Sequence, residues 1–290
     1  KFVNNLITIS KLVPLALFIA IGIFFINGAN FTPVFPQDVY VDGSFAQAAV
    51  LLFFAYTGFE VIAIAAEDMK NPKKNLPRAI IMCMLLVSVL YMAILAVSIG
   101  VLGTDLANTK APVQDAFNVI VGPVGMYIVL VGTLISMGGI NFAEAYYAPR
   151  VATSMAEDGM LPSALAKRNR YNAPYVAAIV TAIASVLLAW SGSFTTLAAI
   201  SAVSRFTQYL PTCLAVIIFR RKWADKARSY TIPGGYLIPV IAIGTSLWML
   251  AQAQTNQLLW GLGGCIVILP FYYSYWKKKK AGLIKDHDEM

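Results

Sequence analysis

The feature that most constrains this chain is a series of long apolar segments separated by short polar connections. An α-helix rises about 1.5 Å per residue, so roughly 20 apolar residues cross a hydrocarbon core about 30 Å thick. Inside a bilayer the backbone must satisfy its own hydrogen bonds, which a helix does within one segment. The sequence therefore predicts an all-α, polytopic transmembrane protein with about eight spans, near residues 6–27, 46–66, 79–102, 124–148, 174–191, 195–219, 236–253 and 257–276.

The composition agrees with a chain that is solvated mainly by lipid. Of the 290 residues, 59% are hydrophobic and only 12% are charged, and the mean hydropathy is +0.70. A soluble domain this apolar would have too few polar residues to cover its surface. No nucleophile with its base, phosphate loop or zinc spacing is present, so we expect neither an enzyme nor a metal site nor a cofactor.

The formal charge of +8 follows the topology of the predicted spans. Basic residues cluster in every second connection and in the tail, whereas the intervening connections contain only Lys110. This positive-inside pattern predicts that both ends of the chain are cytoplasmic, and it argues against a nucleic-acid partner. The basic clusters are Lys70, Lys73, Lys74 and Arg78; Arg150, Lys167, Arg168 and Arg170; Arg220, Arg221, Lys222, Lys226 and Arg228; and Lys277 to Lys280 with Lys285.

Four charged residues fall inside predicted spans: Lys11, Glu60, Glu144 and Arg205. Charges at that depth are costly and usually face a partner, a protein interior or a water-filled path. A purely structural role is possible for each of them, but it explains Glu60 poorly because of the residues that precede it. Lys11 would snorkel to the membrane surface, Glu144 would be neutral and hydrogen-bonded, and Arg205 would tether backbone carbonyls or Glu144.

The segment FAYTGFE, residues 54–60, combines helix-loosening residues with aromatic rings and an acid. Gly58 has no side chain and Thr57 competes for backbone hydrogen bonds, although a single Gly in a membrane helix most often serves packing. If the helix breaks near Ala55 to Gly58, the exposed carbonyls carry partial negative charge and can hold an ammonium group. Further along, Asn71 and Pro72 are expected to end this helix, and Pro77 to begin the next.

These segments resemble the amino acid–polyamine–organocation permeases. FAYTGFE with AAEDMKNPKKNLPRAI is similar to the family's sixth helix and the loop after it. APRVATSMAEDGMLPSALAK resembles the signature after its eighth helix, and NAPYVAAIVTAI the start of its ninth. The resemblance extends from Lys1 to about Lys280. It implies that the eight predicted spans correspond to the family's fifth to twelfth helices.

The resemblance implies a single transporter domain over residues 1–290 with a LeuT-like inverted-repeat architecture. Residues 1–27 would be the last helix of the first repeat, 46–219 the second repeat, 236–276 two peripheral helices and 277–290 a cytoplasmic tail. The family's first four helices would lie outside this sequence. A complete site would need them, because in the family the first helix holds the substrate carboxylate.

The resemblance also implies a substrate site. Its substrate-binding segment would be Phe54, Ala55, Tyr56, Thr57 and Gly58, with the carbonyls of Phe54, Ala55 and Thr57 receiving the amino group. Phe54 would act as an aromatic gate over the substrate and Glu60 as the proximal gate. A lone Phe without this motif would be read as packing.

Two further residues take roles by the same resemblance. Lys11 matches a fifth-helix lysine of proton-coupled members, where its charged and neutral forms would stabilise two states of the transporter. Glu144 lies near a position that contacts the substrate side chain in arginine-exchanging relatives, provided that the alignment is not shifted by one residue. The resemblance suggests no role for Arg205.

We therefore expect a multi-pass cell-membrane protein that transports amino acids by proton-coupled symport and alternating access. Its expected partners are an amino acid and the lipid bilayer. Two alternatives stay open: an exchanger of an amino acid against its decarboxylated amine, and an amino acid sensor that binds without transport. Neither the substrate nor the oligomeric state follows from the sequence.

Overall fold

The computed structural model describes residues 2–32, 43–60, 62, 69–223 and 230–280. All regular structure in these residues is helical, and no strand occurs within them. The predicted all-α fold class is confirmed. The nine α-helices of the described residues are α1 Phe2–Gly22, α2 Ser44–Ala55, α3 Pro72–Leu102, α4 Pro112–Val121, α5 Pro123–Glu157, α6 Tyr175–Ser191, α7 Phe194–Lys222, α8 Leu237–Gln252 and α9 Thr255–Lys280.

Each predicted span overlaps one of these helices. Within the described residues, five stretches are long and apolar enough to cross a membrane: Asn5–Phe25, Pro72–Asn108, Pro123–Glu157, Phe194–Lys222 and Thr255–Lys277. The shorter apolar helices α2, α6 and α8 correspond to the other three predicted spans. Only 6% to 22% of the residues in the most apolar windows of the five long stretches are buried. Most of their apolar side chains are thus available to lipid.

Helices α3 and α5 each extend well beyond the predicted span at one end. The helix expected to begin at Pro77 begins at Pro72, with Pro77 inside it, because Pro is well tolerated at the first helical position, where its missing N–H would be unpaired anyway. Asn71 precedes it with a positive φ of 49°, which Asn tolerates better than most residues. Helix α5 continues to Glu157, beyond the apolar run, since helical hydrogen bonding does not require an apolar sequence.

The chain divides into two compact units, and two of the three boundaries between them fall within α3 and α5. Unit 1 comprises Lys1–Tyr40 and Met82–Tyr147. Its core is formed by Phe18 of α1, Val97 of α3, Ala116 and Phe117 of α4, and Val129 of α5. The rings of Phe18 and Phe117 meet edge to face, with centroids 5.6 Å apart, an arrangement that aromatic pairs favour.

Small residues bring the helices of unit 1 close together. A side-chain carbon on Gly132 of α5 would lie 2.6 Å from Pro14 of α1, and one on Gly100 of α3 would lie 2.8 Å from Ile26. Membrane helices depend on such close packing, because water does not drive apolar helices together within lipid.

Unit 2 comprises Val41–Ile81 and Ala148–Met290. Helix α7 lies at its centre and packs against α2, α8 and α9. The face that α7 presents is built from Ala198, Ala199, Ala202, Val203 and Phe206, all buried. Val50 of α2 packs against this alanine surface, and Gly261 of α9 approaches Val203 so closely that a side-chain carbon would lie 2.7 Å away. This packing holds the end of α2 beside the middle of α7.

Candidate functional site

Helix α2 ends at Ala55, and Tyr56 to Gly58 form a turn. The Thr57 N–H and hydroxyl both donate to the Phe54 carbonyl, at 3.1 and 2.7 Å. Gly58 follows with a φ of 105°, a conformation in which any side chain would be strained. Thr57 and Gly58 thus turn the backbone out of the helix. The residues that would continue it, 61 and 63–68, lie outside the described part of the chain.

The hydrogen bonds of this turn occupy a carbonyl that is predicted to bind the amino group of the substrate. A carbonyl oxygen has two lone pairs, and Thr57 donates two hydrogen bonds to that of Phe54. An ammonium group at Phe54 would therefore compete with the Thr57 hydroxyl. The predicted substrate contacts of Ala55, Tyr56 and Thr57 concern the same turn, and they stay predictions.

The Phe54 side chain packs on the protein in the described conformation. Its ring meets that of Phe194 edge to face at 6.1 Å, and it also contacts the cluster formed by Val50, Ala199 and Ala202. Phe194 is 75% exposed at the start of α7. A swing of the Phe54 ring would have to break both the contact with Phe194 and the contacts with this cluster. The gating role of Phe54 stays a prediction.

Glu60 follows the turn and receives three donors. Its Oε2 accepts hydrogen bonds from the Gly58 N–H at 2.9 Å and from the Tyr209 hydroxyl at 3.2 Å. Its Oε1 forms an ion pair with the Arg205 guanidinium. The Glu60 side chain is 16% exposed and that of Arg205 is 32% exposed, so both charges are largely withdrawn from solvent. These donors fix the carboxylate against the turn.

Aromatic rings pack around Tyr209, whose hydroxyl donates to this carboxylate. Tyr209 lies against Phe59 at 5.9 Å and meets Phe53 edge to face at 5.8 Å. Phe53 in turn stacks on Phe206 at 4.7 Å. Apolar neighbours strengthen the hydrogen bonds and the ion pair of Glu60, because they lower the local dielectric. We call Glu60, Arg205 and Tyr209 the Glu60 cluster.

The partner of Arg205 was not indicated by the sequence pattern. The sequence left Arg205 as a tether for backbone carbonyls or for Glu144, whereas in the described residues its ion-pair partner is Glu60. Tyr209 was not singled out either. Its position one helical turn after Arg205 places both side chains on one face of α7, and that periodicity is the signal that would have found it.

Lys11 lies in unit 1 and lines a cavity of about 470 Å³ between α1, α3 and α5. The cavity wall is mostly apolar and includes the hydroxyl-bearing residues Tyr91, Thr133 and Ser136. None of the described residues that line it is acidic. The Lys11 side chain is half-buried, as a residue that faces a cavity rather than the surface would be. Its role in proton coupling stays a prediction.

Glu144 is an exposed residue of α5 in unit 1. Nearby on the same helix, the Asn141 amide donates to the Met137 carbonyl of the preceding turn at 3.0 Å. The predicted contact between Glu144 and a substrate side chain stays a prediction. Among the residues that the structure describes, no group of three or more His, Cys, Asp or Glu side chains could hold a metal ion.

A family model described as "Amino acid permease" matches residues 1–275. The chain belongs to the amino acid permease family. Together with its apolar helices, membership of this family makes it a multi-pass membrane protein.

Several bacterial transporters are similar over almost the whole chain. The branched-chain amino acid permease BcaP of Bacillus subtilis is 30% identical over 285 residues, which are 96% of this chain and 60% of the relative. The methylthioribose transporter of the same organism is 30% identical over 280 residues, 95% of this chain and 59% of the relative. Its serine/threonine exchanger SteT is 29% identical over 288 residues, 97% of this chain and 65% of the relative. The chain spans about 60% of the length of the first two relatives.

Proposed function

We propose that the protein is a secondary transporter of amino acids that works by alternating access and is coupled to protons. The observation that carries this proposal is the turn at Tyr56 to Gly58, where α2 ends within an apolar segment and the Gly58 N–H donates to the Glu60 carboxylate. Interrupted helices of this kind place backbone dipoles at a binding site inside the membrane. Family membership supports the same function.

The Glu60 cluster supplies a mechanism for holding and releasing this turn. Gly58 belongs to the turn, whereas Arg205 and Tyr209 belong to α7, so the Glu60 carboxylate links the end of α2 to α7. Movement of the turn would require these contacts to be exchanged. A substrate whose ammonium group binds the turn would bias that exchange, as a ligand does when it binds two states with different affinity.

Lys11 is the residue that we propose for proton coupling. Hydroxyl groups such as those of Tyr91, Thr133 and Ser136 can accept a hydrogen bond from an ammonium and donate one to a neutral amine. The cavity that Lys11 lines therefore contains groups suited to both protonation states. Two protonation states with different hydrogen bonds provide the two conformational states that alternating access needs.

The decisive experiment is uptake by the full protein reconstituted in proteoliposomes. We expect radiolabelled amino acids to accumulate faster when an inward proton gradient is imposed, and a protonophore to remove the stimulation. Branched-chain amino acids, serine and threonine are the first substrates to test, because the similar proteins include a branched-chain permease and a serine/threonine exchanger. Methylthioribose is the control substrate, since another relative is named for its transport. Binding without uptake would contradict the proposal and favour a sensor.

Exchange is the second candidate, and the similarity to a serine/threonine exchanger favours it. An exchanger would take up labelled substrate only when the vesicles contain an amino acid or its decarboxylated amine. Uptake that ignores the proton gradient but requires internal substrate would therefore replace symport by exchange. Stimulation by internal amine would identify the amino acid and amine pair.

A further inference from the structure

A cavity of about 360 Å³ lies in unit 2 where α7 ends. One wall is formed by the last turns of α7, including Val216, Phe219 and Arg220. The other is formed by the segment before α8, residues 230–232. The positive-inside pattern predicts that this end of α7 is at the cytoplasmic surface of the membrane. The cavity is separate from the turn after α2 and from the Glu60 cluster.

Arg220 is built into the wall of this cavity. Its Nη2 donates to the Ile232 carbonyl at 2.8 Å, and the side chain is half-buried. This hydrogen bond ties the segment before α8 to the end of α7 and orients the guanidinium. A guanidinium has five N–H donors in a planar fork that suits two oxygens of a phosphate group.

The charge around Arg220 is strongly positive. Arg220, Arg221 and Lys222 are consecutive in the last turn of α7. Among the described residues, no acidic side chain forms an ion pair with any of these three basic residues. An anion at this place would gain from all three cations.

The rest of the cavity is apolar and aromatic. Phe219 and Trp223 stack at 4.7 Å, and Tyr230 and Ile232 complete the lining from the other side. Trp and Tyr are enriched where the hydrocarbon core meets the head groups, because their rings are apolar and their tips are polar. A free phosphate ion would lose hydration against such a lining, whereas a phosphate attached to acyl chains would gain apolar contacts.

We propose that this cavity binds the phosphate and glycerol group of an anionic phospholipid, with Arg220 as the phosphate ligand. Arg221 and Lys222 add attraction from the rim, and the rings of Phe219 and Trp223 contact the glycerol and the first acyl carbons. Basic pockets beside membrane helices are suited to such head groups. This site does not depend on the transported substrate, so it can be tested without a transport assay.

The test is native mass spectrometry of the detergent-solubilised protein with phosphatidylglycerol and, in parallel, phosphatidylcholine. We expect selective retention of phosphatidylglycerol at raised salt, where diffuse attraction is screened. Arg220→Gln should lower the affinity for phosphatidylglycerol about tenfold, the loss expected for one charge-assisted hydrogen bond. The matched control Arg221→Gln removes the same charge one residue away, outside the cavity lining. At the same raised salt concentration it should lower the affinity for phosphatidylglycerol less than about twofold. Val216→Phe keeps every charge but fills the cavity and should also displace the lipid.

Three results would overturn the proposal. The first is equal weakening by Arg220→Gln and Arg221→Gln with no effect of Val216→Phe, which would show diffuse attraction to a basic helix end. The second is displacement of the lipid by glycerol phosphate or inorganic phosphate, which would assign the cavity to soluble phosphates. The third is equal retention of phosphatidylcholine. In a second measurement, spin-labelled phosphatidylglycerol should quench Trp223 fluorescence in vesicles more than spin-labelled phosphatidylcholine does, and Trp223→Phe should remove that difference.

Discussion

Glu60 in unit 2 and Lys11 in unit 1 both lie within predicted membrane spans, but their surroundings differ. Glu60 accepts from the Gly58 N–H and the Tyr209 hydroxyl and is paired with Arg205. Lys11 lines a cavity of about 470 Å³ whose described lining residues include hydroxyl groups but no acid. Glu60 thus has a cationic partner, whereas no acidic partner for Lys11 is among the described residues that line its cavity. This difference is the basis of our proposals that Glu60 holds the turn and that Lys11 exchanges a proton.

The largest effect is expected from breaking the ion pair of the Glu60 cluster. Arg205→Met leaves the Glu60 carboxylate without its cation, and Glu60→Gln leaves the Arg205 guanidinium without its anion. Removing one partner of a buried pair costs about 3 to 5 kcal/mol, and because Arg205 is about one-third exposed we expect about 2 to 4 kcal/mol. Thermal unfolding in detergent measures the loss.

The double variant Glu60→Gln, Arg205→Met is the control for this pair. It removes both charges together, so its loss of stability should be smaller than the sum of the two single losses. Additive losses would mean that the two side chains do not interact. The proposal that Arg205 holds Glu60 in place would then be wrong.

The second effect concerns Lys11 and is functional. Lys11→Ala should reduce proton-stimulated uptake to the rate measured without a gradient, because no group remains to carry the proton. Insertion into the membrane and thermal stability should change little. Lys110→Ala, which removes an exposed lysine of unit 1, is the matched control. A pH profile of Lys11→Ala that matches the unaltered protein would make Lys11 a membrane-surface anchor.

A smaller effect is expected from Tyr209→Phe. This change removes the hydrogen bond to Glu60 but keeps the ring between Phe53 and Phe59. Hydrogen bonds to charged groups contribute about 1.5 to 3 kcal/mol, and the 3.2 Å length places this one at or below the lower end, near 1 kcal/mol. Tyr273→Phe, at an exposed ring of α9, should leave the unfolding temperature unchanged. An equal loss in both variants would mean that the hydroxyl of Tyr209 does not support Glu60.

The smallest effect on stability is expected from Glu144→Gln. Glu144 is exposed, and surface substitutions usually change stability by about 0.5 kcal/mol or less. If Glu144 contacts the substrate side chain, the ranking of competing amino acids in an uptake assay should change, with cationic competitors weakened most. Gln retains the size of the side chain and removes only its charge. An unchanged ranking would give Glu144 a structural role.

Much of the fold could be predicted because hydropathy is a property of short sequence windows. The spans at 195–219 and 236–253 correspond closely to α7 and α8. Helix α2 ends at Ala55, within the stretch where Thr57 and Gly58 suggested a break. The start of α3 at Pro72 was predicted too late, at Pro77, because a proline is found both after a helix end and in the first turn of a helix.

The site could be predicted only in part. FAYTGFE identified the turn and the acid, since Gly, Thr and Glu are unusual together in an apolar span. It could not identify what surrounds the acid. Arg205 was noticed because a charge within a span is costly, whereas Tyr209 was not, since a tyrosine in a membrane helix is ordinary.

By itself the sequence determined that this protein is all-α, which segments are apolar enough to cross a membrane, and which family it belongs to. These properties depend on local composition and on short motifs, so short windows of the sequence are enough to predict them. Only the tertiary structure decided that Glu60 meets Tyr209, a residue 149 positions away, and pairs with Arg205. Such a meeting depends on how α2 packs against α7, where small buried alanines allow the two helices to approach, and no local pattern encodes that geometry.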